Sequence, residues 1–245
     1  MLMYQLIGIC FVMLCYANLL HASPLAPVSG FARDFISGKP VSRATITILE
    51  TKQQLTTDRH GRFGPFLYPV GQALTLEFKK WGYKTTQSGT LINPAEGLTK
   101  PNTNITFQIP SLFTFYLFKI IIGEHFKSGD CHVVTTVTAP QKTLDDLVQG
   151  EENATIKITP LINEKPFYFD IFKNGPLKNR TDPFNKTLTV TTRDGGVAFV
   201  NVPASANPYT ITATKKGKTF TSAKFICHPN SFINISPPNG PMVME

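Results

Sequence analysis

Apolar and polar residues alternate in short runs along most of this chain, and Gly, Pro, Asn and Asp cut the runs apart. Ala44, Ile46 and Ile48 alternate with Thr45, Thr47 and Leu49, and ALTLEF (73–78), NATIKITPLI (153–162), KTLTVTT (186–192), GVAFVNV (196–202) and YTITAT (209–214) behave alike. Successive side chains of a strand point to opposite faces, so a period of two describes strands with one face in a core. Thr, Val, Ile and Phe suit such a pleated, half-buried surface. No run from 24 to 110 carries a helical stripe. The expected fold class is all-β, built of antiparallel sandwiches and not of βαβ units.

The pattern also repeats. TTDRHGRF (56–63) and TTRDGGVAF (191–199) share two threonines, a nearby acid, a glycine and an aromatic residue. Each continues into an apolar strand, a Pro-marked connection, a further alternating strand and a Lys-Lys turn with Gly. Such self-similarity is the mark of a duplicated supersecondary unit. An acid, an arginine and a histidine so close together in TTDRHGRF could also form a catalytic or metal-binding cluster. The second copy, with Gly195 in the region of His60, argues against this. Asp58, Gly61, Asp194 and Gly195 are therefore read as turn residues, the acids accepting backbone N–H bonds and the glycines supplying positive φ. His60 is read as replaceable.

GFARDFISGKPVSRATITI (30–48), TDRHGRF (57–63), PVG (69–71) and LEFKKWGY (76–83) resemble the carboxypeptidase regulatory-like domain, a prealbumin-like β-sandwich. Gly30, Asp34, Gly38, Pro40, Ala44, Thr57, Asp58, Gly61, Phe63, Gly82 and Tyr83 fill that family's motif positions, and Ala32 departs from its usual Val or Ile. The resemblance implies a sandwich and no activity, since such domains stabilise, anchor or bind. No His-x-x-Glu of a zinc carboxypeptidase is present. The C-terminal half is loosely similar to bacterial Ig-like domains. The expected plan is a signal peptide (1–23), a carboxypeptidase regulatory-like sandwich (24–110), an apolar connector (111–127) and an Ig-like sandwich (128–245), hence two tandem antiparallel β-sandwich (prealbumin/Ig-like) domains joined by an apolar segment. The connector, SLFTFYLFKIIIGEHF (111–126), is apolar on every side, which suits burial between the halves as helix or strand. Exposed, it would be a partner or membrane-surface site.

Residues 1–23 hold no Lys, Arg, Asp or Glu, and an apolar run from Leu6 to Leu20 ends in Ala22, Ser23 and Pro24. That layout is a secretory signal, with an uncleaved anchor as the alternative. The formal charge of +8 then belongs entirely to the mature chain. Its basic residues are scattered, with small clusters at Lys79-Lys80 and Lys215-Lys216, so a nucleic-acid partner is not expected. Cys131 and Cys227 remain as an even pair bound for an oxidising compartment, where a disulfide is the leading reading. Both precede histidines (His132, His228), so a Cys2His2 metal site and free thiols are the alternatives; neighbours on a strand face opposite ways, which disfavours the metal.

No catalytic residue, metal ligand or cofactor is assigned. There is no Gly-x-Ser-x-Gly elbow and no phosphate loop. Asp145, Asp146, Glu151 and Glu152 gather in TLDDLVQGEE (143–152), as paired carboxylates or as an exposed acidic loop. Trp81 in KKWGYKT could stack on a sugar ring. The expected function is that of a secreted or periplasmic, non-catalytic binding or structural module for a carbohydrate, cell-surface or protein partner, touching membrane only through its signal peptide. The alternative is a small secreted hydrolase using the 143–152 acids with His132 or His228. On this reading the exported protein begins within a few residues of Pro24, and N-terminal sequencing that returned Met1 would refute it.

Overall fold

The computed structural model describes residues 23–244 apart from 101, 102, 124, 147 and 177; the expected signal peptide lies outside the described residues but for Ser23. Strands form where the alternation is strongest. The first half holds β1 (Leu25–Asp34), β2 (Thr45–Ile48), β3 (Gln54–Thr56), β4 (Arg62–Pro69), β5 (Ala73–Lys79), β6 (Thr86–Ile92) and β7 (Ile105–Ile109). Helix α1 (Leu112–Ile122) follows. The second half holds β8 (Cys131–Thr136), β9 (Thr155–Thr159), β10 (Phe167–Tyr168), β11 (Asp170–Ile171), β12 (Thr181–Asp182), β13 (Gly196–Val202), β14 (Tyr209–Thr214), β15 (Ala223–Phe225) and β16 (Phe232–Ile235). The protein is mostly β, with several sheets and one short helix among the described residues. KTLTVTT, read as a strand, forms none. Asn185 Oδ1 accepts from both the N–H and the hydroxyl of Thr187, a turn that leads the chain off the sheet edge. Only Thr191 rejoins, donating its N–H to Ala154 O and accepting from Asn153.

The duplication holds bond by bond. β1 is antiparallel to β4 and parallel to β7, just as β8 is antiparallel to β13 and parallel to β16. Thr57 Oγ1 accepts from the Ala44 N–H at 2.9 Å and donates to Val41 O at 2.8 Å. Thr191 Oγ1 accepts from the Ala154 N–H at 2.9 Å and donates to Glu151 O at 2.6 Å. The Ala32 N–H reaches Gly61 O, and the Val137 N–H reaches Gly195 O. Both glycines have φ +73°, and a Cβ on either would stand 2.5 Å from the Ala32 or Val137 carbonyl oxygen, so only glycine fits. These bonds fix the register between the two copies. Gly195 answers Gly61, Asp194 answers His60, and Thr192 answers Asp58. The recurring requirement is therefore an oxygen acceptor and not an acid: Asp58 Oδ1 takes the His60 N–H at 2.8 Å, and Thr192 Oγ1 takes the Asp194 N–H at 3.2 Å.

The halves meet differently from the expected plan. β6 pairs in parallel with β16, Thr86 opposite Phe232 and Gln87 opposite Ile233. One sheet, ordered β10-β13-β8-β16-β6-β5-β2-β3, therefore runs through both repeats. The Gln87 side chain adds a bond to Ile226 O at 2.8 Å. One core lies under the first repeat around Ile46, Phe63, Phe78 and Phe107, and another under the second around Val133, Ile156, Phe199 and Phe225. β8, β13 and β16 are buried at every residue, as strands covered on both faces must be. Val133, Ile233 and Ile235 face the second core, while Val134, Ala198 and Phe232 face the other way, towards α1.

The connector is a helix. The Ser111 hydroxyl caps it by accepting the Thr114 N–H at 3.1 Å, and Gly123 closes it in the left-handed conformation. It does not lie buried between the halves. The shared sheet already joins them, so α1 covers the outer face of β8 and β16, through Phe115 and Phe118.

Cys131, at the start of β8, is bonded to Cys227, after β15, with both side chains buried and Cα atoms 5.7 Å apart. The bridge spans a sequence separation of 96, so its loss frees a long loop in the unfolded chain. Replacing both cysteines by serine should cost about 2–5 kcal/mol in denaturant melts. Thiol titration of the unfolded, unreduced protein should find neither sulfur free, and two reactive thiols would contradict the bridge.

Candidate ligand cleft and apolar helix face

Two of the stretches singled out in the sequence come together in space. A cleft of about 980 Å³ lies over the outer face of the β4-β1-β7 sheet, with Phe31, Arg33, Arg62 and Thr106 in its floor. The loop from Pro140 to Asp145 and the segment from Met242 to Met244 form its other wall, and Asp58 of TTDRHGRF stands at its margin. Phe31 and Arg33 share a face of β1, and Arg62 stands directly across from Phe31 on β4. The two guanidinium carbons consequently lie 5.7 and 5.5 Å from the Phe31 ring centre, both within cation–π range of one aromatic ring. Arg33 reaches over to Asp145 at 2.5 Å, tying the first repeat to the loop of the second. Arg62 has no ion pair among the described residues.

The carboxylates are engaged one by one. Asp58 accepts the N–H groups of Arg62 and His60, and the Arg62 bond above all holds its carboxyl below the usual range. Asp146 is held low in the same way by the Thr143 N–H, with help from Lys142. Glu151 bonds Lys215, away from the cleft, and Glu152 lies 4.0 Å from Arg193. The 143–152 acids thus point to separate basic partners, and no two of them pair.

His132 and His228 are both absent from the cleft lining. His132 sits on the face of β8 opposite Cys131, beneath α1, its ring 4.1 Å from that of Phe126 and its Nδ1 accepting the Asn201 N–H at 3.2 Å. Burial, then Lys84 and Lys119, pushes it down to about 4, so it is neutral at pH 7. His228 is exposed in a turn. Both cysteine sulfurs are consumed by the disulfide. Among the described residues no group of His, Cys, Asp and Glu is arranged to hold a metal.

Trp81 is 96 % exposed at the tip of the β5–β6 turn, where the second repeat has Lys216. The Tyr83 N–H closes that turn on Lys80 O, and Gly82 O accepts from the N–H of Leu112. The turn is thereby fastened to the start of α1. From there Leu112, Phe113, Tyr116, Leu117 and Ile120 all stand exposed, Phe113 to 76 %. At 100° per residue they fall within one arc of the helix, opposite Phe118 and Ile122. Sequence reading placed these side chains in a core because a helix apolar all round ordinarily lies in one. No helix here is long and apolar enough to cross a membrane among the described residues.

No protein-family model matches this chain, and no curated protein matches it. Among solved structures, shaft pilin spaA from Lactobacillus rhamnosus GG aligns at 14 % identity over 91 % of this chain and 98 % of that one, with a TM-score of 0.25. The Bacillus anthracis TIE protein aligns at 15 % identity over 88 % of this chain and 34 % of that one, with a TM-score of 0.24, so this chain spans about a third of its length. A Streptococcal ancillary pilin aligns at 11 % identity over 87 % of this chain and 63 % of that one, also at 0.24. Likeness at this level carries no argument about function or assembly.

The turn of the second repeat has a titration of its own. Asp194 accepts from Thr181 Oγ1 at 2.6 Å and from the Gly196 N–H at 2.9 Å. Its residue surface is half-buried, but its carboxyl lies deep among neighbouring atoms, and burial lifts it to about 6 against those bonds. Between about 3.8 and about 6 the folded protein keeps a proton that the unfolded chain has lost. Stability therefore falls as pH rises through that window. Asp194→Asn should flatten the fall, seen as melts at pH 4 and pH 7 that differ less than in the parent. A variant with the parent's full pH dependence would remove Asp194 as its cause.

Proposed function

We propose that the protein is an exported, non-catalytic binding module that holds an acidic polysaccharide in the cleft over β4-β1-β7. The observation that carries this reading is the Phe31 ring with the Arg33 and Arg62 guanidiniums beside it. An aromatic face stacks on a sugar ring, and a guanidinium takes a carboxylate or sulfate in bidentate fashion. An open groove between two repeats suits an extended polymer better than a small molecule. The net charge of +8 favours approach by an anionic chain. Export is supported by the charge-free apolar N-terminus and by the buried disulfide.

The hydrolase alternative loses support from the same geometry. Glycoside cleavage needs one protonated carboxylic acid beside one carboxylate. In this cleft Asp58 is held ionised by backbone N–H groups, and Asp145 faces Arg33. The test is binding to immobilised acidic and neutral polysaccharides, with release of reducing ends measured in parallel. Acidic polymers should bind in a salt-sensitive manner, and Phe31→Ala or Arg62→Ala should each weaken binding about five- to tenfold. Equal affinity for neutral polymers would defeat the electrostatic part of the reading. New reducing ends would defeat the non-catalytic part.

A further inference from the structure

The second unexplained feature lies apart from the cleft. Helix α1 shows water a continuous arc of Leu112, Phe113, Tyr116, Leu117 and Ile120. Exposed apolar surface of this kind marks a contact site. The helix cannot roll to hide it. Phe115 and Phe118 are packed against Phe232 and Phe126, Leu112 is bonded to Gly82, and Lys186 Nζ bonds the last helical carbonyl, at Ile122, at 3.1 Å. At one end of the arc stands the turn of Trp81, the chain's single tryptophan.

Charge decides between the possible occupants. Lys80, Lys84, Lys119 and Lys186 all belong to α1 or to segments that touch it; none has an ion pair among the described residues, and Lys80, Lys84 and Lys186 donate to the carbonyls of Ser42, Asn230 and Ile122. Lys84 lies 4.8 Å over the Phe115 ring, and Lys119 lies 5.4 Å over the Phe126 ring. The two lysines repel each other enough that, after burial, Lys119 is the second cause lowering Lys84. The first turn of α1 holds no acid, and its last turn holds Lys119. A second copy of this face would bring like charges together. A ridge of Leu, Phe, Tyr and Ile, with an exposed tryptophan at its end and unpaired positive charge on the elements beside it, suits instead a lipid surface: acyl chains at the ridge, aromatic side chains at the interface, anionic headgroups near the lysines.

We infer that α1 and the Trp81 turn dock the protein on an anionic lipid surface, the helix lying in the plane of the interface. The helix spans 11 residues and rests on a sheet, so it enters to one side-chain depth and does not cross. This surface is separate from the cleft and stands whether or not a polysaccharide binds there.

Trp81 supplies the readout. The purified protein is mixed with phosphatidylcholine vesicles, pure or carrying a minority of phosphatidylglycerol, and binding is followed by co-sedimentation and tryptophan emission. Anionic vesicles should sediment the protein and shift its emission to the blue, while pure phosphatidylcholine should do so at least about tenfold more weakly. Raising salt should release the protein. The variant Phe113→Ser/Tyr116→Ser/Ile120→Ser should lose vesicle binding with its thermal melt retained, because these side chains contact water. Lys80→Gln/Lys119→Gln should weaken binding about tenfold or more. No binding to anionic vesicles, equal binding to neutral ones, or undiminished binding by the apolar variant would each overturn the proposal. So would a concentration-dependent dimer, abolished by the apolar variant, in protein that ignores vesicles. Since all these readouts are blind to polysaccharide, a failure of the cleft reading leaves them unchanged.

Discussion

The pairing of Thr86 with Phe232 and of Gln87 with Ile233 is what the rest of the molecule is built around. It inserts β16 between β8 of its own repeat and β6 of the other, and so turns an edge strand into a central one. Edge strands can leave one face wet, but a central strand in a layered protein needs cover on both. The second core covers one face of β8 and β16. The other face requires something apolar, and α1 provides it with Phe115 and Phe118. The helix is thus where the sheet requires it. Its outward arc is surplus to that task, which is why it invites a functional reading.

Much of this was legible in the sequence, and the failures have physical causes. Period-two alternation located β2, β5, β9, β13 and β14 because one face of each is committed to a core. The duplicated turn was legible because Gly61 and Gly195 occupy positions that tolerate no Cβ. Its register stayed open by one residue because an aspartate and a threonine hydroxyl accept the same backbone bond. The disulfide was legible because setting the expected signal peptide aside leaves two cysteines. The fusion of the sheets left no trace, since β6 and β16 are far apart in the chain and parallel pairing needs no local turn. α1 misled because a run apolar on every side reads as buried, whereas here the core needed only half of it.

The cleft was legible only in fragments. Its walls come from β1, from the TTDRHGRF turn, from the loop before β9 and from the last residues described, and each segment is ordinary alone. Phe31 was passed over inside a family-like motif, and its flanking guanidiniums come together only through the β1–β4 register. By contrast Trp81, a candidate in the sequence, stands clear of the cleft and belongs with α1. The +8 charge likewise resolves into local patterns: two guanidiniums beside one aromatic ring in one place, lysines on the elements around an apolar helix face in another.

The place of β16 in the chain also orders events in time. Every strand it joins is made before it, so the slot between β6 and β8 stands open until synthesis has passed Ile235. Folding must wait for a contact between distant segments, and such topologies are slow. Until then the edges of β6 and β8 are unpaired, and neither can distinguish one molecule's β16 from another's. The fold therefore carries an intrinsic route to strand exchange between neighbouring chains, open whenever molecules fold close together.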